Sequence, residues 1–238
     1  MNHRTKVGLV VLLFALLLVA CGGGETPTPT VAPPTATPVP PTAAPAAQAA
    51  QSLAPSSADV RTFVIDSAQS EARFFINEVL LGMPIEVKGA TNQITGTIDI
   101  DLVTPANTSV SQIIVNAREL KTDRNLRDRA IRRFILQSAD DKYQFITFTP
   151  TGIVGLPASV KPSDSFSFEI TGDLQIRDDV APVTFAVTLT ANSDTQITGL
   201  AQATVQRSMF DLQIPSAPGV ADVSEDVRLE LSFVALAQ

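Results

Sequence analysis

The sequence predicts an all-β domain, a single antiparallel barrel of about eight strands with a short helical crossover near 123–138. Three observations carry this. Apolar and polar residues alternate with period two through most of residues 61–238, which gives each strand one buried and one wet face. Turn-forming residues recur at hairpin-sized intervals, which favours antiparallel neighbours. One Arg-rich stretch lacks the alternation. Strands with a single apolar face satisfy themselves by closing into a barrel, and a two-sheet sandwich remains the alternative.

In chain order the first element is a leader, residues 1–20. Arg4 and Lys6 precede an apolar run from Val7 to Ala20. That run fits a signal-peptide core and is short for a membrane span of about 20 residues. It ends in Leu18-Val19-Ala20, followed by Cys21 and Gly22-Gly23-Gly24. This arrangement resembles a bacterial lipobox, which implies cleavage before Cys21 and lipidation of its thiol. The expectation is an extracytoplasmic protein anchored to the bacterial cell membrane through Cys21. Residues 21–60 then form a linker rich in Pro, Thr and Ala, from Pro27 to Pro55. Too few large apolar side chains occur there to offset the entropy of ordering, and proline biases the chain to extended geometry.

Residues 61–238 form the predicted barrel domain, long enough for one sizeable core. Phe74 and Ile76 alternate with Arg73 and Asn77. Ile98, Ile100 and Leu102 alternate with Asp99 and Asp101. Ile113 and Val115 follow the same rule, as do Phe166, Phe168 and Ile170. Val183, Phe185, Val187 and Leu189 continue it, and Leu229, Leu231 and Phe233 close it. Turn signals fall at Thr91-Asn92, Pro105-Ala106-Asn107, Arg177-Asp178-Asp179 and Asn192-Ser193-Asp194. Between Thr122 and Ala139, Ile131, Phe134 and Ile135 follow helical spacing, with Thr122 or Asp123 as the expected N-cap. The i, i+4 pairs Asp123–Arg127, Arg124–Asp128 and Asp128–Arg132 are expected to stabilise that helix.

Composition narrows the function. The chain has 17 basic and 24 acidic residues and a net charge of −7, which argues against a nucleic-acid partner. The one histidine, His3, lies in the leader, and the one cysteine is Cys21. The mature domain therefore has no Ser-His-Asp or Cys-His arrangement and no His or Cys for zinc, and the reading is that it is not an enzyme. The carboxylate pair Asp99 and Asp101 shares one strand face and reads as a solvated outer surface. The cationic cluster Arg124, Arg127, Arg129, Arg132 and Arg133 has two readings: a solvated helix, or a site for a phosphate head group or an anionic lipid surface.

Several segments together resemble the YceI-like family. They are Thr122…Arg127-Asp128…Ile131-Arg132…Tyr143…Phe145-Ile146-Thr147-Phe148, then Thr171-Gly172-Asp173-Leu174-Gln175-Ile176 with Ala181-Pro182-Val183. Arg207-Ser208-Met209-Phe210 and Asp226-Val227-Arg228-Leu229-Glu230-Leu231 follow. The resemblance implies a lipocalin-like barrel and an apolar, chain-like ligand such as a polyisoprenoid or isoprenoid quinone, with no other cofactor. The chain departs from the family where a histidine is common after the second strand and Asn77-Glu78 stands here, and where Gln144 replaces a proline after the tyrosine. The candidate lining residues are Phe74, Ile76, Ile113, Val115, Phe148, Phe166, Phe168, Phe185 and Val187, with Arg127 and Arg132 at the mouth. Alternation leaves two readings of this inward face open. It either encloses a dry tunnel for such a ligand, or fills a core and makes the domain a surface-displayed interaction module.

Overall fold

A computed structural model describes residues 60–101 and 104–238. The leader, Cys21 and the linker up to residue 59 lie outside the described residues. The chain runs β1 (Val60–Ile65), β2 (Glu71–Leu80), β3 (Met83–Thr91), β4 (Ile94–Thr95), β5 (Thr97–Asp101), β6 (Ser109–Val110) and β7 (Ile113–Asn116). After helix α1 (Asn125–Ala130) come β8 (Phe145–Val154), β9 (Ser165–Ile176), β10 (Asp179–Ser193), β11 (Gln196–Gln206), β12 (Val220–Ala221) and β13 (Asp226–Ala237).

These thirteen segments belong to one antiparallel sheet, and they fall into eight runs. β1 and β2 are one interrupted run, β3 to β5 a second, and β6 with β7 a third. β8, β9, β10, β11 and β13 complete the set, with β12 a short addition to the end of β2. The pairings then close on themselves. β13 joins β11 on one side and both β1 and β2 on the other, and β5 joins both β1 and β6. β4 pairs with β7, which pairs with β8. The Thr91-Asn92 turn signal is therefore a break within one barrel run and not a hairpin. Closure is incomplete along β3. One edge pairs with β2, while the other has, among the described residues, only the bridge Ala90↔Lys121.

The period-two reading places the right residues inside. Phe63, Ile98, Ile100, Ile113, Phe148, Ile170, Leu174, Val183, Val187, Leu189, Phe233 and Ala235 are buried in one cluster, with Phe74, Phe166, Phe168 and Phe185 packed against it half-buried. Two inward glycines let aromatic rings lie along the wall. Gly89 faces Phe74 across the β2–β3 ladder, and a Cβ there would sit 2.0 Å from Phe74 Cε1. A Cβ at Gly172 would meet Thr149 O at 2.5 Å and the Phe148 ring at 2.6 Å. Phe148 also makes an edge-on contact with Phe185, ring centroids 5.0 Å apart.

The crossover is helical but differs in detail. α1 is followed by a π turn, Ile131–Ile135, in which Leu136 N–H donates to Ile131 O at 2.8 Å. The wider turn spoils the expected i, i+3, i+4 stripe. Ile131 stays buried and Ile135 packs on the core, but Phe134 turns out to solvent. The N-cap is Arg124, without a side-chain cap bond, and not Thr122 or Asp123. Asp128 does not pair with Arg124 or Arg132. It is buried, and it accepts from Thr122 N at 2.8 Å and Thr122 Oγ1 at 2.7 Å. Thr122 is the partner because it precedes the helix and can supply two donors to a carboxylate shut off from water. The Asp99–Asp101 surface also needs correction. Asp101 is buried and accepts from Thr104 N and Asn107 Nδ2, tying down the short 3-10 turn Pro105–Asn107. Asp99 accepts from Thr62 Oγ1 at 2.6 Å.

Gly172→Ala is expected to force Phe148 off the wall and to destabilise the barrel by about 1–3 kcal/mol, as overpacking does. Urea unfolding of the two chains side by side checks this.

Candidate functional site

The barrel encloses a cavity of about 670 Å3. Its lining is overwhelmingly apolar and extends along the barrel. Pro105, Thr108, Leu156 and Val160 line one end, where β5 and β8 finish. Leu80, Leu126, Pro218 and Val220 line the other, beside the β2–β3 turn, α1 and the loop before β13. Between them run the inward faces of β7 to β11 and β13. Phe74, Ile76, Ile113, Val115, Phe148, Phe166, Phe168, Phe185 and Val187 all border this cavity, as does Arg127. Arg132 does not border it; the residue is half-buried on the π turn, away from the lumen.

The polar feature at the α1 end is one that the sequence pattern passed over. Glu78 lies in phase with Phe74 and Ile76, so β2 turns its carboxylate inward. Its side chain is 8% exposed. Arg127 from α1 meets it, Nη2 to Oε1 2.7 Å, with only 15% of the arginine side chain exposed. The other Arg127 nitrogen bonds Asp123, the one expected helix pair that forms. Arg127 thereby ties the helical segment to β2 beside the open edge of β3. The signal was present: an acidic residue at an inward position of an otherwise apolar alternation demands a buried cation. Asn77, its neighbour, points out, and its N–H meets Ser224 Oγ at 3.3 Å.

A second set of bonds holds the loop that forms part of this rim. Arg207 borders the cavity. It donates to Ser224 O (2.8 Å) and Leu212 O (3.0 Å), and pairs with Glu225 at 2.9 Å. Phe210 beside it is 0% exposed and anchors the loop in the core. Ser208, through its hydroxyl and its amide, holds the Glu225 carboxyl below the usual carboxylate range, and Arg207 adds to the effect. The hairpin carboxylate Asp178 is likewise lowered, by Lys142 and then Tyr143, while Lys142 is raised by Asp178 and then Tyr143. Among the described residues no group of three His, Cys, Asp or Glu side chains stands together as a metal site, and no helix is long and apolar enough to cross a membrane.

Two outcomes follow from these bonds. Arg127→Ala leaves Glu78 buried without its cation and is expected to cost about 3 kcal/mol of stability, readable by denaturant unfolding. The Glu225 contribution runs with pH in a definite direction. A carboxyl whose folded value is depressed stabilises above the ordinary range and loses that contribution as pH falls through the folded value. The Ser208 amide is therefore expected to lose hydrogen-exchange protection in acid before the amides of β9 and β10 do.

Comparison with known proteins agrees with this architecture. The family model described as YceI-like domain matches residues 63–235. The chain is similar in structure to Burkholderia cenocepacia BcnA, at 20% identity and a TM-score of 0.56, covering 71% of this chain and 98% of that one. It is also similar to a polyisoprenoid binding domain from Saccharophagus degradans implicated in plant cell wall breakdown. There the identity is 12% and the TM-score 0.57, over 74% of this chain and 98% of that one. No curated protein matches the sequence. The match over residues 63–235, on a barrel with this strand order, makes the chain a member of the YceI-like family.

Proposed function

We propose that this chain is a membrane-anchored extracytoplasmic lipoprotein. Its barrel binds an apolar, chain-like ligand, a polyisoprenoid or isoprenoid quinone, to sequester or carry it. The observation that carries the proposal is the apolar cavity of about 670 Å3 that continues from the Pro105 end of the barrel to the Leu126 end. A long cavity suits a chain better than a compact ligand. Its volume falls within the range of small-molecule sites. Withdrawing such a ligand from water contributes roughly 0.8 kcal/mol per CH2, so a prenyl chain needs few polar contacts to bind. The similarity to the Saccharophagus degradans domain, itself described as polyisoprenoid binding, supports the same ligand class. The lipobox-like Leu18-Val19-Ala20-Cys21 supports the anchor. A filled-core interaction module fits a lumen of this size less well.

The ligand is expected to copurify. Organic extraction of the chain isolated from membranes, followed by mass spectrometry, should yield a polyprenyl lipid, and the intact mass should report acyl chains on Cys21. Val187→Trp, which pushes an indole into the lumen, should lower the lipid recovered per protein severalfold. Wild-type chain that is reproducibly empty would overturn the ligand reading, and an unmodified Cys21 would overturn the anchor.

A further inference from the structure

The rim at the α1 end of the cavity carries exposed apolar side chains where water would favour polar ones. Leu81 is 79% exposed, Leu126 74% and Met83 66%. These residues belong to one rim. Leu126 both borders the cavity and faces solvent. The following residue, Arg127, ties α1 to Glu78 on β2. Leu81 N–H donates to Gly219 O at 2.7 Å, between the cavity-lining residues Pro218 and Val220.

Leu81 is also the wrong residue for its turn. Leu80 pairs with Met83, leaving Leu81-Gly82 as a two-residue hairpin loop with φ +52° and +81°. Such a loop favours Asn or Asp at its first position; the leucine there lies over Gly219 with one methyl yet leaves most of its side chain in water.

The helical segment that carries Leu126 also bears charge in a pattern the helix does not need. Of the cationic cluster, only Arg124 and Arg127 form ion pairs among the described residues, with Asp123 and with Asp123 and Glu78. Arg129, Arg132, Arg133 and the nearby Lys121 form none. Arg129 and Arg133 are exposed, and Arg129 stands one turn beyond Leu126. Unpaired cations gathered in one segment of an acidic chain, the segment that also carries the protruding Leu126, match an anionic bilayer, whose surface attracts the charges and whose acyl boundary takes the apolar tips.

We infer that the rim formed by Leu81, Met83 and Leu126, with Arg129 and Arg133, docks on an anionic lipid bilayer and applies the cavity mouth to the membrane. The inference rests on the lipid-carrier reading and adds to it the face that exchanges ligand and the charge of the membrane it meets. An acidic protein partner would satisfy the arginines but leaves the protruding Leu81 and Met83 without a role.

The test uses the full chain held on vesicles by its own anchor. An environment-sensitive fluorophore placed through Met83→Cys reports the rim locally, whatever the tether does. On phosphatidylglycerol-containing vesicles the probe should shift to the blue and be quenched by brominated acyl chains. Both effects should fall severalfold on phosphatidylcholine alone, in high salt, or in the Arg129→Glu, Arg133→Glu double variant, whose substituted side chains hold no ion pair in the fold. A probe that stays in water on anionic vesicles overturns the inference, including the case where an acidic protein is the true partner. A blue shift indifferent to lipid charge and to the double variant also overturns it. Lipid extraction of the same samples separates the two readings: copurified polyprenyl lipid with a water-exposed probe sinks the docking face alone, whereas an empty barrel sinks the carrier.

Discussion

The structure depends on closure of the sheet. Once β13 has bonded β11 on one side and β1 with β2 on the other, and β5 has bonded both β1 and β6, each run must turn alternate residues to the interior. The Phe-rich faces of β9 and β10, neighbours in one ladder, then line a single stretch of wall and look into the lumen. Closure alone does not decide whether that lumen is empty. Gly89 and Gly172 do, because rings laid over a glycine follow the wall and leave the centre open. A Cβ at either position would direct a phenylalanine inward.

Where closure fails, along the outer edge of β3, the fold substitutes chemistry for hydrogen-bonded pairing. The chain bridges Ala90 once through Lys121, then winds into α1, and Arg127 returns to Glu78. The pair is sheltered enough that removing either partner strands a charge, so it constrains the helix to β2 more firmly than a solvent-exposed pair would. The loop from Arg207 to Glu225 completes this end of the barrel, pinned by Phe210 in the core and by the Arg207 guanidinium on its carbonyls. This end of the cavity is therefore shared between strand ends, at Leu80 and Val220, and the non-strand elements α1 and the loop before β13.

Much of the wall was legible in the sequence. The inward set Phe166, Phe168, Val183, Phe185, Val187 and Leu189 follows from a period of two and nothing else. The runs β3 and β11 were harder to see, because Gly89 and Gly199 interrupt their apolar alternation and the aromatic that completes each site sits on the neighbouring strand. Phe134 was misplaced because a π turn changes the angular step between residues, and no local pattern announces one. Asp101 read as surface because its partners, Thr104 and Asn107, lie in a turn that folds back over it.

The sequence by itself determined three changes of composition along the chain: an apolar run up to Ala20 just before Cys21, a proline-rich stretch poor in large side chains, and an acidic β domain without histidine or cysteine. These are consequences of composition and short-range periodicity, which any single stretch of chain carries. Only the tertiary structure decided that the inward face encloses a cavity, that Arg127 belongs to Glu78 while Arg132 stays away from the lumen, and that Leu81, Met83 and Leu126 share a rim. Those outcomes depend on contacts between residues far apart in sequence. The pairing of Glu78 with Arg127 exists only after the sheet has curled and α1 has closed against β2.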